Sequence, residues 1–423
     1  MHSSPRIFRW FFIAWARLPA QQEDMCVKRS VLSMLCGVLL FSAGHAAADA
    51  SPTAAGVAPI NFPVVAPGID AASFVLMDYA TGDILAQGNQ DARRNPASLT
   101  KLMTGYVVDR ALDQHKITLD DVVTVGKDAW AAGNPVFAGS SLMFLKPGDR
   151  VTVRDLSRGI IIDSGNDACV AMADYVAGSQ PAFVSLMNQY ADQLGLKDTH
   201  FETVHGLDAP GQFTSAHDLA VLSRAIIHGE PEEYHMYSEK TLTYNNITQN
   251  NRNGLLWDKN LNVDGLKTGH TESAGFNIIA SATEGQRRLI AVVMGGKSPK
   301  GREEQARKLL TWGFREFATL PVFKAGQGVA NEQVWYGDQD KVKLGSADEV
   351  FLSVPAGDTD KIKAQYVLDN PQLKAPLTKG QAVGKINILD QGKVLKSIPL
   401  VVLEPVKQGS LISRAVDYIK LKI

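Results

Sequence analysis

The pattern of apolar and polar positions predicts a β-hairpin, a helical middle and a return to strands. Two apolar runs flank the turn residues Thr81-Gly82-Asp83, which is typical of a hairpin. The predicted elements are hairpin strands at 73–77 and 84–86, a helical block from about Asn95 to Gly229, strands at 275–282 and 289–294, and a helix at 302–317. This order predicts a mixed α/β (α+β) domain over residues 69–320, whose two ends share a central antiparallel sheet.

A different pattern begins at about Pro321. Short β-rich runs, such as Val350–Val354 and Leu400–Leu403, alternate with turn residues. The pattern predicts a small all-β sandwich domain over residues 321–405. No group of chemically reactive residues stands out in it, so we interpret it as a spacer or docking module.

The last segment, residues 406–423, contains an amphipathic helix. Its apolar positions are Leu411, Ile412, Ala415, Val416, Ile419 and Ile423. Arg414, Lys420 and Lys422 lie outside that apolar face. Such a helix can lie in a membrane interface or pack on its own protein. The terminal position and the export signal described next favour membrane anchoring.

The N-terminus has the pattern of a secretory signal. Lys28 and Arg29 precede the apolar run Val31–Phe41, and the small residues Ala46–Ala48 follow. The apolar run is too short to span a bilayer. We interpret residues 1–48 as leader and signal peptide, with Met25 as the true start. The alternative is a longer genuine leader. Residues 49–68, rich in Ala and Pro, are predicted to form a linker.

Charge and cysteine content exclude several classes of function. The formal net charge of −1 gives no support for nucleic-acid binding. Cys26 and Cys36 lie inside the predicted signal, so only Cys169 remains in the mature chain and no internal disulfide is expected. The apolar neighbours of Cys169 predict a buried, inert thiol rather than a catalytic one.

A candidate nucleophile lies in the segment Asn95-Pro96-Ala97-Ser98-Leu99-Thr100-Lys101. Asn95 is a favourable N-cap and Pro96 a favourable first helical residue, so Ser98 is expected in the first helical turn. Lys101, three residues on, lies on the same face and can take the proton of the serine if it is neutral. Taken alone, S-x-x-K is common on ordinary helices.

Two further motifs follow in order. Ser164-Gly165-Asn166 offers a hydroxyl and an amide from a short polar loop, and Lys267-Thr268-Gly269 offers groups that can hold a carboxylate. Lys267 is also expected to be the cation that keeps Lys101 neutral. Each motif alone is also an ordinary turn or tripeptide, but the ordered set is the signature of penicillin-binding proteins and class A β-lactamases.

The chain resembles the low-molecular-mass penicillin-binding proteins, the D,D-carboxypeptidases of the type 5 and type 6 group, and most of all their 6b branch. The stretches that carry the resemblance are Arg94–Lys101, Gly139–Lys146, Ser164–Ala173, Thr203–Asp208 and Asn251–Trp257. The resemblance covers nearly the whole mature chain, and S-G-N is the group's own form of the middle motif. It implies a penicillin-binding domain, a β-rich second domain and a C-terminal helix on the outer leaflet of the inner membrane.

The resemblance also implies roles for individual residues. Ser98 corresponds to the acylated nucleophile and Lys101 to its base, while Ser164 and Asn166 correspond to residues that assist proton transfer and orient the substrate. The remaining implied roles are the terminal carboxylate site at Lys267, Thr268, Gly269 and Arg252, and an oxyanion hole at the backbone N–H groups of Ser98 and His270. Gly159 corresponds to a position where side-chain bulk affects deacylation.

The implied partners are peptidoglycan pentapeptides as substrate, β-lactams as covalent inhibitors and the inner membrane surface. No metal or other cofactor is expected, because the histidines are scattered and no carboxylate completes a convincing site with His200 and His205. Two rivals remain: a β-lactamase, although no E-x-x-L-N element follows the S-G-N motif, and a catalytically idle penicillin-binding sensor.

Overall fold

The computed structural model describes residues 6–7, 64–229 and 231–422. Nearly all of the predicted leader and signal, and the linker up to residue 63, lie outside the described residues. Arg6–Ile7 is a two-residue strand, β1.

The part of the chain that ends at Glu316 contains both strands and helices. Its strands are β2 (Ser73–Asp78), β3 (Ile84–Gly88), β4 (Val122–Thr124), β5 (Arg150–Thr152), β6 (Thr241–Tyr244), β7 (Ile247–Asn250), β8 (Asn262–Thr271), β9 (Gly275–Glu284) and β10 (Arg287–Gly296). Its α-helices are α1 (Thr100–Asp113), α2 (Val153–Arg158), α3 (Asn166–Ala177), α4 (Gln180–Gln193), α5 (Ala216–Ile227), α6 (Pro231–His235) and α7 (Pro299–Glu316). Short turns of 3-10 or π helix occur at Ala97–Leu99, Pro135–Phe137, Gly159–Asp163, Met236–Ser238 and Gly254–Trp257.

A five-stranded antiparallel sheet of order β3-β2-β10-β9-β8 forms the centre of this part. Alternate side chains of β10 point to opposite faces, as strand geometry requires. Ile290 and Val292 enter the core shared with α1, α3, α4 and α5, whereas Ala291 and Val293 enter the core beneath α7. The predicted mixed α/β domain, with both ends in one antiparallel sheet, is confirmed.

The predicted helical middle is wrong in two places. Between α4 and α5, from Leu194 to Ser215, the described residues form no α-helix. The larger difference lies between Gln114 and Asp149. The described residues contain no α-helix there; β4 pairs instead with β5, and an irregular loop connects them. Glycine and proline explain the difference, because in a helix interior they cost about 1 and 3 kcal/mol relative to alanine. They recur in this segment at Gly126, Gly133, Pro135, Gly139, Pro147 and Gly148.

The chain after α7 is β-rich. Its elements are β11 (Phe317–Phe323), β12 (Gly328–Trp335), β13 (Lys341–Gly345), β14 (Val350–Pro355), a 3-10 turn (Ala356–Lys361), β15 (Ile362–Leu368), β16 (Leu373–Lys374), β17 (Ala382–Asp390) and β18 (Lys393–Val402). The sheet β1-β15-β17-β18-β13-β12-β16 and the pair β11-β14 close on one core that includes Phe323, Leu352 and Ile386. The predicted all-β fold is therefore confirmed. The boundary predicted at residue 320 falls inside β11.

The two parts of the chain contact one another at the hairpin turn. Thr81 Oγ1 lies 2.7 Å from Ser353 Oγ, and the Thr319 hydroxyl donates to the Asp78 carboxylate. These contacts hold the β-rich part at the end of β2.

The chain ends in helix α8 (Leu411–Lys420), capped by the Ser410 side chain, which accepts from Ser413 N. No residue of α8 is buried, and Leu411 and Ile412 are 81% and 80% exposed. Asp417 Oδ2 accepts a 2.7 Å hydrogen bond from Tyr336 N, which attaches one side of the helix to the β-rich part. Among the described residues, no helix is long and apolar enough to cross a membrane.

Candidate active site

Ser98 lies in the 3-10 turn that leads into α1. The predicted N-cap at Asn95 is wrong: its side-chain amide donates to Ser273 Oγ at 2.6 Å, in the turn between β8 and β9. Pro96 takes the cap position without a side-chain hydrogen bond. The expected first-turn position of Ser98 therefore arises through tertiary contacts rather than local capping, and its side chain stays half-buried at the cleft.

Lys101 is buried below Ser98, with 2% of its surface exposed. Its Nζ lies 3.1 Å from Ser98 Oγ, 2.7 Å from Asn166 Oδ1 and 2.6 Å from the His205 carbonyl oxygen. A serine hydroxyl and a buried amine at hydrogen-bond distance form a nucleophile–base pair in geometry.

Burial lowers the pKa of Lys101 to about 8, and the charge of Arg252 adds to the effect. Asp167 and Cys169 act in the opposite direction. Arg252 is thus one cation that acts on Lys101. Lys267 interacts with Lys101 as well, because the repulsion between the two amines lowers the pKa of Lys267. Burial also raises the pKa of the Cys169 thiol to about 11, as expected of an inert buried cysteine.

The S-G-N motif joins a π-helical turn to α3. Gly159–Asp163 forms that turn, Ser164 is left-handed with φ 58°, and Asn166 is the first residue of α3. Ser164 and Asn166 are both buried. Asn166 Nδ2 donates to Ser140 Oγ at 2.9 Å, which orients the amide so that its oxygen faces Lys101.

Asp167, which sequence reasoning did not select, fixes the loop that borders the cleft. Its two carboxylate oxygens accept hydrogen bonds from Met143 N at 2.8 Å and Leu145 N at 2.9 Å. A Cβ on Gly159 would collide with the Met143 sulfur, so the loop packs directly on the π-helical turn. An acid in the first turn of a predicted helix was the available signal.

The K-T-G motif lies on β8, an edge strand that sequence reasoning did not predict. Lys267 and Thr268 are buried, and a Cβ on Gly269 would lie 3.1 Å from Ser98 N. Glycine therefore lets β8 approach Ser98 closely. Burial, then Lys101 and Arg252, hold the pKa of Lys267 well below its usual value. His270 is exposed, and its ring stacks on Phe276 with centroids 4.0 Å apart.

Arg252 is exposed between two buried asparagines. Asn251 Nδ2 donates to Glu239 O at 3.0 Å and Asn253 Nδ2 to Gly265 O at 2.9 Å, so the segment is attached to β8. Arg302 of α7 is a further cation at the site. The sequence did not indicate it, because it lies in no recognisable motif. It is buried and donates to Gly269 O at 3.3 Å.

The cleft thus gathers all three motifs and a cluster of cations. Ser98, Lys101 and Asn166 are joined by hydrogen bonds, and Arg252 lies close enough to Lys101 and Lys267 to lower the pKa of both. No three His, Cys, Asp or Glu side chains of the described ranges are placed to hold a metal ion. His205 is buried, whereas His200 lies on the surface 3.2 Å from Glu202. The arrangement suits covalent catalysis on a substrate with an anionic end.

Comparisons with known proteins agree over both parts of the chain. Residues 61–298 match the model of the D-alanyl-D-alanine carboxypeptidase family, and residues 317–408 match the C-terminal domain of penicillin-binding protein 5. The D-alanyl-D-alanine carboxypeptidase DacD of Salmonella typhimurium (strain LT2) is 62% identical over 384 residues, which are 91% of this chain and 98% of that protein.

Solved structures of penicillin binding proteins are also similar to this chain in fold. Penicillin binding protein 6B from Escherichia coli has a TM-score of 0.70 and 62% identity, covering 81% of this chain and 99% of that one. Penicillin binding protein 5 from Haemophilus influenzae has a TM-score of 0.79 and 50% identity, covering 82% of this chain and 100% of that one. By sequence, by fold and by three motifs that meet at Ser98, this chain belongs to the D-alanyl-D-alanine carboxypeptidase family of penicillin-binding proteins.

Proposed function

We propose that the chain is a serine-type D-alanyl-D-alanine carboxypeptidase. It removes the terminal D-alanine of peptidoglycan pentapeptides through an acyl-enzyme on Ser98, and β-lactams acylate the same serine. The observation that carries the proposal is the contact of Lys101 Nζ with Ser98 Oγ, at 3.1 Å, in a site where the lysine is buried. Family membership supplies the substrate class.

The three partners of Lys101 support its role as the base. A neutral amine has two N–H donors and one lone pair. Asn166 Oδ1 and the His205 carbonyl can only accept, so they take the two N–H groups. The lone pair is then left for the Ser98 hydroxyl proton, which is the direction of transfer that attack on a carbonyl carbon requires.

Recognition of a free C-terminus requires cations beside the scissile bond. Lys267 and Thr268 on β8, with Arg252 on the adjoining segment, are the proposed partners of the terminal carboxylate. Charge-assisted hydrogen bonds to a carboxylate are the strong ones, and they select the free acid over an internal peptide bond. This supports a carboxypeptidase over an endopeptidase.

The oxyanion hole is assigned to the backbone N–H groups of Ser98 and His270. Gly269 lies against Ser98 N, which brings the backbone around His270 next to the nucleophile. Donors fixed where negative charge develops in the transition state account for a large part of catalysis in acyl transfer. Asn166, hydrogen-bonded to Lys101, and Ser164, buried two residues before it, are assigned to proton transfer and substrate orientation.

We place the protein outside the cytoplasm, at the periplasmic face of the inner membrane, in cell-wall maturation and the maintenance of cell shape. The signal-like N-terminus and the exposed apolar face of α8 support this location. Lys420 and Lys422 add positive charge for anionic headgroups.

One experiment separates this function from its rivals. The mature protein is assayed for D-alanine release from a D-Ala-D-Ala pentapeptide and for turnover of a fluorescent penicillin. A carboxypeptidase releases D-alanine and keeps the penicillin bound, a β-lactamase turns the penicillin over rapidly, and an idle sensor binds penicillin without releasing D-alanine. Ser98→Ala should abolish release and labelling, whereas Ser185→Ala, on the exposed side of α4, should leave both intact.

A further inference from the structure

A buried carboxyl group that the proposed mechanism does not use lies directly before the S-G-N motif. Asp163 is the last residue of the π-helical turn and is only 2% exposed. Among the described residues its Oδ1 has no hydrogen-bond partner. A buried polar atom without a partner is costly, so its retention calls for a functional reason.

Asp163 is close enough to the cations of the proposed carboxylate site to interact with them electrostatically. The charged groups that act on it are Arg252, Lys267 on β8 and Asp167 on α3. The two cations favour its ionised form and Asp167 opposes it. Burial has the largest effect and raises the pKa of Asp163 to about 7.

We propose that Asp163 is a positioning residue that sets the net charge of the carboxylate site. When ionised, it neutralises part of the field of Arg252 and Lys267 and weakens their hold on the terminal carboxylate of the substrate. When protonated, it is neutral and does not reduce the attraction of Arg252 and Lys267 for the substrate carboxylate. This inference rests on the proposed function, because it requires a substrate with a free terminal carboxylate.

The sign of the pH effect follows from linkage. A bound carboxylate disfavours the ionised form of Asp163, so the complex binds more protons than the free enzyme near neutral pH. Substrate affinity therefore falls, and KM rises, as pH increases through about 7. Lys101 affects kcat rather than KM, and in the opposite direction. Its neutral amine drives acylation and becomes more abundant as pH rises through about 8, so kcat should increase.

The test measures KM and kcat for the wild type, Asp163→Asn and a matched control between pH 5.5 and pH 8.5. The substrate is an N-acetylated peptide ending in D-Ala-D-Ala with its lysine side chain acetylated, so that only its carboxylate is charged. The control is Asp174→Asn on α3, because burial and Asp128 raise the pKa of Asp174 to about 7 as well, and neither Arg252 nor Lys267 is among the causes of that shift.

The wild type and Asp174→Asn should show a KM that rises about 3- to 10-fold across this range, equivalent to a shift of up to one pKa unit on binding. Asp163→Asn should give a KM that does not change with pH and stays near the acid value of the wild type. The pH profile of its kcat should be the same as that of the wild type. A variant with a structural defect in the site would change kcat as well as KM.

Several results would overturn the inference. They are a wild-type KM that is flat with pH, an Asp163→Asn variant that keeps the rise, and an Asp163→Asn variant whose KM is raised at every pH. If Asp163→Asn does not fold, the same KM measurements are made on Asp163→Gln and compared with the pH dependence of KM in the wild type. A wild type that releases no D-alanine at any pH overturns the proposed function itself, whereas D-alanine release with a flat KM overturns only the role of Asp163.

Discussion

The α-carbon of Gly206 packs directly against the carbonyl oxygen of Ala97, the residue before the proposed nucleophile Ser98. A Cβ on Gly206 would overlap that oxygen, and Gly206 has φ 90°, a conformation that side chains rarely adopt. The close approach brings the neighbouring carbonyl of His205 to 2.6 Å from Lys101 Nζ. The positions of Ser98 and Lys101, the proposed nucleophile and base, are therefore coupled through a single glycine.

Gly206→Ala should impair acylation through this coupling. The added methyl must push residues 203–208 away from Ala97, so His205 O loses its contact with Lys101 Nζ. A displacement of this kind typically costs about 100-fold in rate. The measurement is the acylation rate with fluorescent penicillin, with Gly178→Ala, at a positive-φ glycine in open space, as control for backbone strain. Equal acylation rates for the two variants would contradict the proposed coupling.

Lys101→Ala should block acylation while the fold remains. The loss of a positioned base should lower the acylation rate about 100-fold or more. In the wild type, acylation at saturating substrate should rise with pH through about 8, because only the neutral amine accepts the proton. Stopped-flow labelling at several pH values measures both effects. If Lys101→Ala is acylated at the wild-type rate, a different residue must be the base.

Arg252→Ala and Lys267→Ala should weaken substrate binding more than they weaken folding. Charge-assisted hydrogen bonds are worth about 1.5–3 kcal/mol each, so kcat/KM should fall roughly 10- to 100-fold. The thermal midpoint of Arg252→Ala should change little, because that side chain is exposed. A substrate amidated at its C-terminus provides the control. If the amide is cleaved as well as the free acid, these cations do not recognise the carboxylate.

Truncation after Gly409 should release the mature protein from membranes and keep its activity on small peptides. Helix α8 has ten residues, about 15 Å at ~1.5 Å per residue, too short to span a bilayer but able to bury one apolar face in the interface. Replacing Ile412, Val416 and Ile419 with Ser should mimic the truncation, and high salt should weaken binding only in part.

Liposome sedimentation measures this binding. Serine substitutions at Val122, Ile247 and Val394, which are exposed apolar residues elsewhere, form the matched control. Helix α8 is not the anchor if the full-length protein stays in the supernatant or the truncated one still sediments. The alternative, a helix packed on its own β-rich part through Asp417 and Tyr336, would then be favoured.

The sequence by itself determined the elements whose signals are local. The hairpin around Gly82 and the strands β9 and β10 follow from short, continuous apolar runs bounded by turn residues. Helix α7 follows from the helical spacing of its apolar residues. The three motifs were equally visible, because their chemistry depends on residue type and order.

Only the tertiary structure decided how those motifs meet. Strand β8 has no alternating pattern, since Lys267 and Thr268 are buried polar residues, and its place at the sheet edge depends on pairing with β9. Asn95 is a favourable N-cap in sequence, yet Ser273, 178 residues away, binds its amide instead. Arg302 likewise reaches the site through a contact that no local pattern contains. Asp167 is marked locally as an acid in a first helical turn, but its hydrogen bonds to Met143 N and Leu145 N depend on the fold.

The physical reason is the range of the interactions. Propensity and periodicity describe how a segment uses its own backbone and one buried face, and both can be read along the chain. Burial, charge neighbours and close approach depend on segments distant in sequence. The lowered pKa of Lys101 arises from burial and from Arg252, which is 151 residues away in sequence. The motifs around Ser98 can therefore be recognised in the sequence, but the arrangement that brings them together exists only in the fold.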